Sequence, residues 1–66
     1  MRVVTDNEAN TWICLELPVA RGQEQASEVE VECNSGAERA VVRVPRDWES
    51  LPDTDFARRI LSSLGR

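Results

Sequence analysis

A chain of 66 residues makes one small domain, and at this size only about 60% of the surface exposed in the unfolded chain is buried, so the core is thin. Apolar residues make up 41% of the chain and charged residues 30%, with the hydrophobics gathered in periodic runs, which favours a folded domain over a disordered polypeptide. Twelve acids against eight bases leave a net charge of −4, a balance that argues against a phosphate-binding surface and hence against direct nucleic-acid binding.

The chain opens Met1-Arg2-Val3-Val4 and meets Asp6 before any apolar run of signal-peptide length develops. No segment approaches the run of about 20 apolar residues that a membrane span needs. A cytoplasmic location with no membrane partner is therefore expected. Every base is arginine, which reads as GC-rich codon usage and hints at a bacterium. Arg2-Val3-Val4-Thr5 makes a first strand, and the turn-rich Asp6-Asn7-Glu8-Ala9-Asn10 a hairpin loop.

"TWICLELPV" is a second strand with Trp12, Cys14 and Glu16 on one face and Ile13, Leu15 and Leu17 on the other, ended by Pro18. Cys14 and Cys33 have no histidine to join them, too few ligands for a structural zinc site. A bridge between neighbouring strands would need an oxidising compartment. In the cytoplasm the two thiols read as small buried hydrophobes. Between Val19 and Ala26 the chain lacks apolar periodicity, which predicts the longest loop.

From Ser27 to Val44, "SEVEVECNSGAERAVVRV" alternates Val29, Val31 and Cys33 with Glu28, Glu30 and Glu32, the period-two pattern of a half-buried strand. Asn34-Ser35-Gly36-Ala37 supplies the turn of a hairpin. A register in which paired positions sum to 71 sets Val29 against Val42 and Val31 against Ala40 on the core side. It also sets Glu28 against Arg43 and Glu32 against Arg39 on the solvent side. The glutamate row then reads as a solvated strand face partly neutralised by arginines.

Pro45 stops the fourth strand, and a helix of about 11 residues follows Pro52, with Asp53 as its N-cap and Asp55 in its first turn. Phe56, Ala57, Ile60, Leu61 and Leu64 recur at helical spacing and predict a face that lies across the sheet, and Gly65 suits the C-terminal cap. Trp48, in the connector, is expected to fold back as a lid over the open end of the core, with Leu51 beneath it and its indole N–H reaching solvent or a carbonyl.

The Val-Pro-x-x-Trp-x-x-Leu-x-Asp pattern within "VPRDWESLPDTDFARRIL", together with a Thr-Asp turn before a Trp-bearing strand, resembles a set of small uncharacterised bacterial domains. The resemblance covers Thr5 to Leu17 and Val44 to Leu61. Those domains often carry a longer aliphatic residue where Phe56 stands. It implies a compact bacterial domain, and no activity or site residue comes with it.

Chemistry-bearing groups are sparse. With no His, Tyr or Lys the usual proton-transfer groups and the Ser-His and Cys-His pairs are missing, and the isolated Gly22, Gly36 and Gly65 build no phosphate-cradling loop. A noncatalytic chain without cofactor or metal is expected. The fold class is α+β: a four-stranded antiparallel sheet of two hairpins with one C-terminal helix on one face. If the helix covers the aliphatic row, Trp12, Cys14 and Glu16 stand on the open face as an interaction surface; if the sheet curves, Trp12 is buried. Trp48 and the row Glu28, Glu30 and Glu32 are weaker candidates. The expected function is a protein-protein interaction module, monomeric or weakly dimeric through an edge strand. The alternative is an acidic regulator occupying a partner's nucleic-acid-binding surface, motivated by Glu24, Glu28, Glu30 and Glu32. A small-ligand binder would instead need a well-formed apolar pocket.

Overall fold

A computed structural model describes residues 1–19, 21–22 and 25–65 of the chain. Four strands, β1 (Arg2–Thr5), β2 (Thr11–Glu16), β3 (Glu28–Ser35) and β4 (Glu38–Pro45), form one antiparallel sheet in the order β1-β2-β3-β4. A 3₁₀ turn, Trp48–Ser50, leads to helix α1 (Asp53–Ser63). This is the α+β architecture that the alternating and helical periodicities predict. Of the expected Val19–Ala26 loop, Ala20, Gln23 and Glu24 lie outside the described residues.

One face of the sheet is buried. Val4, Trp12, Cys14, Val29, Val31, Cys33, Ala40, Val42 and Val44 point into the core and meet Phe56, Ala57 and Ile60 of α1, with Leu51 and Leu64 packed at its margin. Phe56, Ala57 and Ile60 recur at the three- and four-residue steps that bring side chains to one helical face.

The β3–β4 register differs from the one read in the sequence. Paired positions sum to 73, with Val29 opposite Val44, Val31 opposite Val42 and Cys33 opposite Ala40. Ser35 continues β3, so Gly36 and Ala37 alone make the turn, and Gly36 takes φ +59 at the first central position as a type II′ hairpin demands. A shift of two residues preserves the faces, because side chains alternate with period two. Glu28 therefore faces Pro45, and Glu30 faces Arg43. Glu32 faces Val41, yet Arg39 still reaches it on the diagonal, with Nε donating to the Glu32 carboxylate at 2.8 Å.

Between β1 and β2 the chain turns on Asp6. Its backbone N–H donates to the Asn10 carbonyl (3.0 Å), and the N–H of Ala9 donates to the Asp6 carbonyl (3.1 Å). Ala9 consequently adopts φ +67, a left-handed conformation that costs an L-residue about 1–2 kcal/mol.

The helix start also departs from the sequence reading. Asp53 is the first helical residue rather than the N-cap; Pro52 precedes the helix, and its carbonyl accepts from the N–H of Phe56 at 3.0 Å. The Asp53 carboxylate is drawn instead to Arg2, whose Nη2 donates to it at 2.7 Å. The same guanidinium donates to the Trp48 carbonyl (2.6 Å) and the Leu51 carbonyl, and stacks 5.1 Å from the Phe56 ring centre. One side chain at the start of β1 thus ties the first strand to the connector and the helix. At the far end Gly65 takes φ +80, and its N–H donates to the Ser62 carbonyl at 3.1 Å.

Two stability predictions follow from these contacts. Ala9→Gly, which removes the left-handed penalty, raises stability by about 1 kcal/mol and the thermal midpoint by about 4–8 °C, read by circular dichroism melting. Arg2→Met leaves two partly buried carbonyls without their donor and lowers unfolding free energy by about 2–3 kcal/mol in urea titration. Arg2→Lys restores only part of the loss, since an ammonium lacks the guanidinium fork.

Candidate interaction surface

The face of the sheet opposite α1 is divided. On the β1–β2 side Val3, Ile13 and Leu15 are 54%, 47% and 47% exposed, and Val3 lies directly across from Ile13. On the β3–β4 side stand Glu28, Glu30 and Glu32, then Arg39, Val41 and Arg43. Leu15 faces Glu32, so the aliphatic strip meets the glutamate row along the β2–β3 seam. Glu32 accepts from Arg39 and, at 3.2 Å, from the Asn34 side-chain amide, and these bonds, Arg39 first, hold its carboxyl below the usual carboxylate range. Among the described residues neither Glu28 nor Glu30 enters an ion pair.

Trp12 and Cys14 belong to the core, both fully buried, which corrects the reading that places them on the open face. Strand β2 is apolar on both sides from Trp12 to Leu15, so its own pattern cannot orient it; its partners do. Cys14 pairs with Cys33 of β3, whose valine–glutamate alternation leaves no doubt about which side faces inward. The indole N–H, the one polar group of Trp12, is satisfied inside: Nε1 donates to the Asp6 carboxylate at 2.9 Å. Asp6 is itself 6% exposed and accepts the backbone N–H groups of Glu8 (2.8 Å) and Asn10 (2.9 Å). The Trp12 indole first, then these amides, hold the Asp6 carboxyl below its ordinary range, with burial pulling the other way. Sequence reading passes over Asp6 as a turn residue. The clue it offers is an acid at the start of a loop whose next strand opens with Trp12.

Glu16, the third residue of that set, sits at the exposed rim, where its carboxylate accepts from Trp48 Nε1 at 2.9 Å. Trp48 is the lid expected of it, 2% exposed, with its ring centre 5.5 Å from that of Phe56; its acceptor is a carboxylate rather than solvent or a carbonyl. Neither tryptophan offers its indole to a partner.

Cys14 and Cys33 are free thiols, buried side by side. Leu17 N–H donates to the Glu30 carbonyl (2.8 Å), which fixes the ladder phase and puts the cysteines at a non-hydrogen-bonded position, where facing side chains are closest. The Cys14 thiol and burial together push the Cys33 pKa up, keeping that thiol protonated.

A cavity of about 720 Å³ lies between the β1–β2 loop and α1, lined in part by Thr5, Asp6, Asn7, Thr54 and Leu61. Its wall is mixed rather than apolar, and the Asp6 oxygens are already bonded within the loop. Among the described residues no helix is long and apolar enough to cross a membrane. Comparison with protein-family models, curated proteins and solved structures finds no match.

The Asp6 geometry carries a pH dependence. A carboxyl whose folded pKa is depressed contributes stability that is fully present above its unfolded pKa, about 3.9, and is lost as pH falls through the lower folded value. Urea midpoints of the native chain therefore fall on acidification below about pH 4. Asp6→Asn is less stable at neutral pH and shows a flatter acid limb, with Glu32, whose carboxyl is also held low, contributing to the slope that remains.

Proposed function

We propose that the chain is a noncatalytic, cytoplasmic protein-binding module that docks through the open face of its sheet. The observation that carries this reading is the adjacency of Val3, Ile13 and Leu15, three aliphatic side chains about half exposed on neighbouring strands of a face that no element among the described residues covers. Scattered apolar side chains are ordinary on any surface, but a row across two strands gives a partner a continuous strip to exclude water from.

Charge beside the strip narrows the partner. Glu28 and Glu30 border it without ion-pair partners among the described residues. A partner element with an apolar row flanked by basic side chains complements both halves. The reading as an acidic regulator that mimics nucleic acid draws less support: Glu32 is spent on Arg39 and Asn34, and Arg43 stands across from Glu30. Glu24, the fourth acid of that reading, lies outside the described residues.

Ile13→Thr/Leu15→Thr keeps β-branched or strand-compatible side chains and touches no core contact, so the folded chain is retained. Affinity capture with the double variant, its fold verified by circular dichroism, loses partners that the native chain holds. Glu28→Lys/Glu30→Lys weakens the same partners and removes the salt dependence of their retention. Partners held equally by both variants count against the open face.

A further inference from the structure

The second edge of the sheet has a different chemistry. Between β4 and α1 runs a groove of about 450 Å³ whose wall includes Val41, Arg43, Arg58, Arg59, Ser62 and Ser63. It gathers three of the chain's eight basic residues and no acid, on a protein whose net charge is −4. Among the described residues Arg43 and Arg59 have no ion-pair partner, and Arg58 has only Asp55, exposed and 3.9 Å away.

Backbone groups line the same groove. In a hairpin whose Ser35 and Glu38 flank a two-residue turn, Glu38, Ala40, Val42 and Val44 spend their N–H and carbonyl groups on β3, so those of Arg39, Val41 and Arg43 point away from the sheet. The bond from Ser63 Oγ to the Val41 carbonyl (3.2 Å) shows that carbonyl on the outer edge and engages one of its two lone pairs. The middle of the edge retains the N–H groups of Arg39, Val41 and Arg43 and the carbonyls of Arg39 and Arg43, with guanidinium groups on both sides. Arg43 approaches from the open face of the sheet, Arg58 and Arg59 from the helix.

We propose that this groove takes an acidic segment of a partner protein, added in extended conformation as a fifth strand beside β4. The site is separate from the open-face strip and independent of it. Main-chain bonds to Arg39, Val41 and Arg43 hold the added strand, and acidic side chains on either of its faces meet an arginine. A second copy of this chain fits less well than an acidic strand: antiparallel pairing of two β4 strands about Val41 sets Arg39 of one copy against Arg43 of the other, a like-charge pairing that destabilises a ladder, and the face of β4 that carries Arg39, Val41 and Arg43 brings no acid to offset it. Nor does β1 offer an equivalent edge, since it is only four residues long.

The test uses the full chain and a fluorescein-labelled octapeptide of alternating glutamate and valine, with the lysine–valine octapeptide and a single-stranded oligonucleotide as competitors. Expected are saturable binding by fluorescence anisotropy, slowed exchange of the Arg39, Val41 and Arg43 amides in the complex, and affinity lowered about tenfold by Arg43→Glu or Arg59→Glu. Val41→Pro, which removes an outward N–H and leaves the β3 ladder intact, abolishes the amide-dependent part. The proposal is overturned if the acidic peptide does not bind, if the lysine peptide binds as well, if the oligonucleotide displaces the peptide and binds more tightly, or if the three edge amides exchange unchanged while affinity falls with charge alone. Arg59 is exposed on the helix, so its variant reads binding without touching the core.

Discussion

One helix of 11 residues can cover only one face of a four-stranded sheet, and every other feature of this protein answers to that limit. The covered face must hold whatever cannot be left in water, and it holds both tryptophans, the phenylalanine and both cysteines. A core so thin is open at its ends. Each end is closed by a tryptophan whose indole N–H donates to a carboxylate, Trp12 to Asp6 and Trp48 to Glu16, both at 2.9 Å. A large ring contributes more buried apolar area than any other side chain, and the carboxylate removes the cost of burying its one donor.

Arg2 binds these parts together. The connector after β4 has little regular structure to satisfy its carbonyls, and a helix entered through a proline lacks a side-chain cap. A guanidinium carries enough donors in a fixed fork to serve the Trp48 and Leu51 carbonyls and the Asp53 carboxylate at once. It lies over Phe56 as it does so, with its side chain 13% exposed. A cation at the start of a helix opposes the helix dipole, and Asp53 and Asp55 in the first turn offset it.

The uncovered face and the outer edge are where the two proposed contacts fall. The strip of Val3, Ile13 and Leu15 and the arginine-lined β4 edge present opposite chemistries, one apolar with acids beside it, the other cationic with free amide donors. They lie on the face and flank of a single rigid sheet, so the scaffold that builds one also positions the other. Neither depends on the buried indoles, whose work is complete inside the fold.

Local pattern alone determined much of this. Val29, Val31 and Cys33 alternating with glutamates oriented β3, the spacing of Phe56, Ala57 and Ile60 oriented α1, and Gly36 and Gly65 marked the turn and the helix end, because each signal is read within a few residues of its consequence. The orientation of β2 was beyond that reach. Both of its faces are apolar between Trp12 and Leu15, and only pairing Cys14 with Cys33, with Asp6 available to the indole, decided that the tryptophan goes in and the aliphatic row stays out. The hairpin register lay two residues from the one read because either alignment keeps the same faces, and the turn conformation at Gly36 chose between them. Arg2 reaching Asp53, and three arginines from β4 and α1 converging on one groove, join positions far apart in the chain. No periodicity encodes such meetings, since they exist only once the helix has crossed the sheet.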